Sequence, residues 1–272
     1  WLLVVKFVFV AKVNQQVISS ASPVLVVLLY LDKSTAISYH TQKRYQRLQE
    51  SMGSVFGKES VAEPVYQVLL QRAGQTVKTS YEIRRYQERF AAEVRYASKE
   101  DVGSPFRALA RYIGVFGTPE NQGQQPISMT APVVMQNPQE EKEEPAKATG
   151  NGHKVMKFIL PAEFDSMEKI PKPTNPDVQI EKLPPQVGVV HRFSGFWSES
   201  INQQVAAALS EQLVQDGVES LTRDFVLEHY EFWGYNPPYT LPMFRRNEIW
   251  IELTDKQVEQ LVNRFNQPTS NA

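Results

Sequence analysis

The sequence of 272 residues has no cysteine. That excludes disulfides, thiolate metal sites and a cysteine nucleophile, although an empty count carries no message about compartment. It also lacks an excess of either charge, with 29 Lys and Arg against 30 Asp and Glu. No global field therefore draws it to nucleic acid or to anionic lipid, and no local basic patch stands in for one. There is no glycine-rich phosphate loop, no G-x-S-x-G elbow and no HExxH, so nothing supports a catalytic reading. Only four histidines occur, His40, His153, His191 and His229, and no two share metal-ligand spacing.

Long apolar runs are missing as well. "WLLVVKFVFVAKV" is broken by Lys6, and "VLVVLLYL" at 24–31 is cut off from it by Asn14, Gln15, Gln16 and a serine-rich stretch. Neither reaches the roughly 18 residues that a spanning helix needs. Three readings stay open for this region: a targeting segment, an anchor to a membrane or protein partner, or a pair of strands. A short helix is expected at 41–52, where Tyr45, Leu48 and Met52 share a face.

What is present is a succession of strand and helix signals. "EPVYQVLL", "SYEIRRY" and "RFAAEVRYA" read as strands, followed by a helix in "SPFRALARYIG". Ser104 is its expected N-cap, Pro105 its first residue, Gly114 its stop, and Phe106, Leu109, Ala110 and Ile113 its apolar stripe. "ISMTAPVVMQ" is a strand candidate, and "NPQEEKEEPAKATGNG" is a charged, solvated loop without periodicity. "HKVMKFILP" and two strands within 178–193 come next. A second helix at 199–215 is expected to start from a Ser200/Gln203 capping box, with Ile201, Val205, Ala208, Leu209 and Leu213 on its buried stripe and Gly217 ending it. "DFVLEHYEFWGY" and "RRNEIWIEL" read as closing strands, and a last helix at 254–265 carries Val258, Leu261, Val262 and Phe265 on one face.

The segment "GYNPPYTLPMFRRNEIWIEL" differs from the rest. Pro237, Pro238 and Pro242 remove backbone donors, so its first half is a stiff loop rather than a helix or central strand. Tyr235, Tyr239, Leu241, Met243 and Phe244 ride on it and must cover a core, a partner or a ligand.

A weak internal repeat runs through the chain. At an offset of 97 residues, "YEIRRYQERFAAEVRYA" lies over "VQIEKLPPQVGVVHRFS", setting Ile83 on Ile180 and Arg95 on Arg192. Each copy is followed by an amphipathic helix and further strands. Strand, strand, helix, strands, twice over, fits a nearly closed antiparallel sheet with one helix per half.

Taken in order, "YEIRRY", "ISMTAPV", "MKFILP", "PKPTNPDVQIEKLPP", "FSGFW" and above all "GYNPPYTLPMFRRNEIWIEL" resemble the SOUL/haem-binding protein family. The resemblance implies an α+β fold, a distorted antiparallel β-barrel of two pseudo-repeats with a helix packed on each. It implies an N-terminal extension at 1–62, the SOUL-like domain at 63–253 and a C-terminal helix and tail at 254–272. It further implies non-catalytic binding of haem or a related tetrapyrrole in a shallow apolar groove between the first helix and the loop before the last strand. The matching positions are Phe106, Leu109, Ala110, Ile113, Tyr235, Tyr239, Leu241, Met243 and Phe244. Arg245 and Arg246 are candidates for the propionates, against the plainer reading of ion pairs with Glu248.

One departure stands out. Where some members carry a histidine proposed to bind iron, within the motif matching "YEIRRY", this chain has Arg85, which has no lone pair to give. The alternative reading is therefore a structural or interaction subunit that has lost the ligand and is tethered by its apolar N-terminal region. Such a region suits an organelle, a plastid among them.

Overall fold

The computed structural model describes residues 61–97, 102–137 and 153–265. By its contacts the chain divides into Trp1–Gln49 and Glu50–Ala272, and every described residue belongs to the second unit. The apolar runs, the helix expected at 41–52 and the charged loop at 138–152 lie outside the described residues.

Nine strands form one antiparallel sheet: β1 (Tyr66–Arg72), β2 (Tyr81–Tyr86), β3 (Arg89–Ala97), β4 (Val133–Gln136), β5 (His153–Ile159), β6 (Val178–Leu183), β7 (Gln186–Phe193), β8 (Glu231–Gly234) and β9 (Asn247–Glu252). Among the described residues four α-helices accompany them: α1 (Gly103–Ile113), α2 (Glu199–Gln215), α3 (Arg223–His229) and α4 (Asp255–Phe265). The sheet curls into a distorted, incompletely closed barrel.

The strand order is β1-β2-β7-β9-β8-β4-β5-β3-β6. Exchanging β2 with β6, β3 with β7, β4 with β8 and β5 with β9 turns the last eight positions into their own mirror image. The pair β3·β5 becomes β7·β9, β4·β5 becomes β8·β9, and β4·β8 maps onto itself. The repeat read from the sequence is thus a pseudo-two-fold about the β4·β8 pairing, with β1 added outside it.

Period-2 alternation sorts the side chains between two faces. Ile83, Val189, Ile249 and Ile251 meet Leu209, Leu213, Val226, Val258 and Leu261 in one cluster under α2, α3 and α4. Phe90, Ala92, Val94, Met156 and Phe158 meet α1 in a second. Each fully buried Ile or Leu there contributes about 1.5–3 kcal/mol. The opposite face carries Tyr86, Ala91, Val134, Ile159, Trp233 and Trp250 as a third cluster.

That third cluster is threaded with charge. Arg84 pairs with Glu248 at 2.8 Å, and Lys157 pairs with Glu93 at 3.5 Å and with Glu181. Polar positions that alternate along β2, β3, β5 and β9 therefore face the inside of the curl rather than open water.

Several local expectations are corrected. Helix α1 begins one residue earlier than Ser104, after Val102, and no side chain caps it; Gly114 does end it, at φ 90°. Helix α2 is capped by Ser198, whose hydroxyl accepts from the Ile201 N–H at 3.2 Å, so the Ser200/Gln203 box does not form. Ala208 is exposed, whereas the polar Asn202, Ser210 and Gln212 share the buried face. The strand read into "ISMTAPVVMQ" covers only Val133–Gln136, after a cis Ala131–Pro132 bond. Most of "DFVLEHY" is not strand but α3, started by the Thr222 hydroxyl accepting from Phe225 N–H at 3.3 Å. Helix α4 is capped as read: Thr254 N–H donates to Gln257 Oε1 at 2.8 Å, and Gln257 N–H returns to Thr254 Oγ1 at 3.4 Å.

Candidate functional site

The loop from Tyr235 to Arg246 holds its shape by its own backbone. Thr240 N–H donates to Pro237 O at 3.0 Å, and a single 3-10 turn, Pro242–Phe244, is closed by Arg245 N–H to Pro242 O at 3.1 Å. Arg245 ties the two halves, donating Nε–H to Thr240 O at 2.8 Å and an Nη2 hydrogen to Pro238 O. With three prolines fixing φ, little backbone entropy remains to be lost on binding.

A second turn is pinned to this loop. Gly195 N–H donates to Pro242 O at 2.8 Å, and Asn247 Nδ2 donates to Gly195 O at 3.2 Å. Gly195 has φ 111°, a conformation that favours glycine, and the bend throws Phe196 outward. Phe196 lies under the Arg245 guanidinium at 5.5 Å.

Large apolar side chains crowd the outside of these two turns. Phe196 is 66% exposed, Tyr239 61%, Met243 71%, Phe244 43% and Leu241 41%. Scattered single cases need no explanation, but a group of five on two mutually bonded turns is a candidate binding surface.

Beneath them the chemistry is ionic. Tyr235 is buried, and its hydroxyl donates to Glu248 Oε2 at 2.8 Å; burial, then the Glu248 charge, push the phenol pKa far up. Arg246 packs its guanidinium 3.6 Å over the Tyr235 ring, donates Nε–H to Glu248 Oε1 at 2.8 Å and grips both oxygens of Glu63 at 2.8 and 2.9 Å. Burial works against the charge on Arg246, but the surrounding Tyr235, Glu248 and Glu63 outweigh it and its pKa rises.

The expected groove residues thus occupy different surroundings. Tyr239, Leu241, Met243 and Phe244 are on the surface with Arg245 beside them, while Tyr235 belongs to the barrel interior. Leu109, Ala110 and Ile113 are packed into the core of β3, β5 and β6, and Phe106, half-buried, meets Phe158 edge-on at 5.3 Å. Phe196 was not among the residues singled out; the signal for it was the glycine before it in "FSGFW".

No group of His, Asp and Glu that could hold a metal occurs among the described residues. His229, the histidine nearest in sequence to the loop, stacks on Phe225 at 4.2 Å, with Nδ1 2.8 Å from Phe225 O. It sits on α3.

Comparison with known proteins bears on the family. Solved structures similar to this one include the EcmrR C-terminal domain, at 12% identity and TM-score 0.40, covering 65% of this chain and 98% of that one. An uncharacterized conserved protein from Listeria innocua is 12% identical with TM-score 0.39, covering 62% and 90%. Among curated proteins no sequence match was found. A family model does match, over residues 61–252, and it takes in all nine strands, the exposed turns and the ion pairs beneath them. The chain belongs to the SOUL heme-binding protein family.

Proposed function

We propose that the protein is a non-catalytic binder of haem or a related tetrapyrrole, a buffer or carrier, and that the surface of Tyr239, Leu241, Met243, Phe244 and Phe196 forms one wall of the groove. The observation that carries this reading is their joint exposure on two turns held together by the Gly195 and Pro242 backbones. A porphyrin offers two flat apolar faces, and covering one with these side chains removes apolar area from water on both partners.

The residues present suit the macrocycle more than the metal. Arg245 uses two of its donors on Thr240 O and Pro238 O, and a guanidinium has five, so one edge can still take a propionate. Arg246 is engaged with Glu63 and Glu248 and is not available in the same way. Arg85 cannot donate a lone pair. When bound, haem would supply redox-active iron, but the side chains named here act on the ring and its carboxylates.

Phe106 would contribute the α1 wall, with Leu109, Ala110 and Ile113 supporting it from the core. A second reading, an interaction subunit using the same exposed surface for a protein contact, draws on Arg85 and on the commitment of Arg246. Titration with haemin followed by a Soret shift, repeated with metal-free protoporphyrin, separates the two. Comparable binding of both supports the proposal; binding of neither favours the interaction subunit.

A further inference from the structure

The loop of exposed aromatics enters β9 at Asn247. A second feature lies at that strand's other end, around Glu252, and on β8 it is reached at Glu231. Here the curled sheet, with residues of α3 and α4, lines a cleft of about 790 Å³ that is open to solvent. That is within the range of small-molecule sites, roughly 300–1,000 Å³.

Its floor is aromatic. Trp233 and Trp250 stack with ring centroids 4.9 Å apart and planes 10° from parallel, and Tyr86 meets each edge-on at 5.5 Å. Val134, Ile159, Leu183, Val187 and Leu253 supply apolar wall. Helix α3 contributes Phe225 and His229 at the rim.

The charges on this wall are not equally compensated. Lys157 is neutralised by Glu93 and Glu181. Arg89 donates to neutral acceptors, Gln186 Oε1 at 2.9 Å and Gln87 O at 3.4 Å. Glu231 is held by neutral donors, Trp233 Nε1–H at 2.7 Å and the Gln136 amide, and Glu252 by Gln186. Glu231, Glu252 and Asp255 together outnumber Arg89, so the lining is negative.

We propose that this cleft is a ligand site separate from the loop, and that it takes an organic cation with an aromatic or aliphatic body. The body would lie against the apolar walls over the tryptophan floor. The cationic group would sit between Glu231 and Glu252, where it offsets the repulsion of two carboxylates that have only the charge of Arg89 to share and no ion pair with it. An anion of the same shape would face the same carboxylates with only Arg89 in its favour.

The carboxyl group of Glu252 adds a signature. Burial, and then the charge of Glu231, hold its proton more tightly than usual. A cation binds best when Glu252 is ionised, so affinity rises with pH through that raised pKa and levels off above it.

The test compares two planar tricyclic probes of opposite sign, 9-aminoacridine as the cation and 9-anthroate as the anion, by calorimetry on the full chain. The cation is expected to bind and the anion to bind far more weakly. Glu252→Gln, which keeps the bond from Gln186, and Glu231→Gln should each weaken the cation by about tenfold, the effect of one partly screened charge. Leu241→Asp should leave cation binding unchanged, and haemin should not compete, so failure of this site is distinguishable from failure of the tetrapyrrole surface. Equal or better binding of the anion, no binding of either probe, insensitivity to Glu252→Gln, or loss through Leu241→Asp would each overturn the proposal.

Discussion

Arg84 and Glu248 meet at 2.8 Å with 4% and 0% of their side chains exposed, one on β2 and the other on β9 with β7 between them. Glu248 also accepts from Tyr235 and Arg246, so this one carboxylate joins the inside of the barrel to the base of the exposed loop. Removing it leaves the buried Arg84 with only Glu82, itself partly exposed, as a carboxylate partner at 2.8 Å. Glu248→Ala is expected to cost about 3–5 kcal/mol of stability in urea unfolding, and Arg84→Met combined with it much less than the sum of the single changes. Strict additivity would show that the two charges do not interact.

A second buried carboxylate ties the helices to the sheet, and it predicts a pH dependence. Asp216 accepts from Arg72 Nε and Nη2, both at 3.1 Å, from the Tyr81 hydroxyl at 2.7 Å and from Gln212 at 3.2 Å. Burial alone would raise its pKa, but the bonds from Arg72, Tyr81 and Gln212 outweigh burial and the net shift is downward. A carboxylate depressed on folding adds stability above its unfolded pKa, about 3.9, and loses it as pH falls through the folded value. The urea midpoint of Asp216→Asn should therefore lie below that of the parent at pH 7 and approach it as the pH drops below about 4. A gap independent of pH would contradict the assignment.

Gly188 on β7 owes its identity to crowding. A Cβ placed there would lie 2.4 Å from Trp250 Cζ2 and 2.6 Å from Ile251 O. The Trp250 ring is trapped between Trp233 and Tyr86 and cannot move aside. Gly188→Ala should destabilise by about 1–3 kcal/mol. Its tryptophan near-ultraviolet dichroism should change as well; an unchanged spectrum and melting temperature would mean that the floor is looser than described.

For the tetrapyrrole surface, Leu241→Asp should weaken haem and protoporphyrin alike, since a carboxylate against a porphyrin face must be desolvated or protonated. His229→Ala should change neither. A strong preference for the iron form that disappears in His229→Ala would make that histidine an axial ligand and displace the surface proposed here.

Much of this architecture could be read beforehand, and the misses have physical causes. Helices α1 and α4 and strand β9 are legible because one face of each is apolar at the right period, as with Ile249 and Ile251. Helix α3 was hidden because a seven-residue helix is too short to display a period, and it rests on the Thr222 cap and on burial of Val226. The interior charges were hidden for another reason. Alternation along "YEIRRY" or "NEIWIE" shows two faces but cannot say whether the polar one meets water or the inside of a curl, so the sequence carries no sign that Arg84 and Glu248 are buried. The exposed loop was legible from its prolines, whereas the burial of Leu109, Ala110 and Ile113 depends on which sheet face α1 chooses.

The strand order leaves β1 and β6 at the two ends of the sheet. Each keeps one edge without a strand partner among the described residues, β1 interrupted by a register shift between Val68 and Leu70 and β6 followed at once by Pro184 and Pro185. Irregular or proline-bounded edges are poor templates for pairing with another chain. They also allow the curl to widen without breaking a single interstrand bond. Amide hydrogen exchange should then be slowest in β7, β8 and β9 and fastest along the outer edges of β1 and β6, so that a protein with a rigid centre can still flex at its margins.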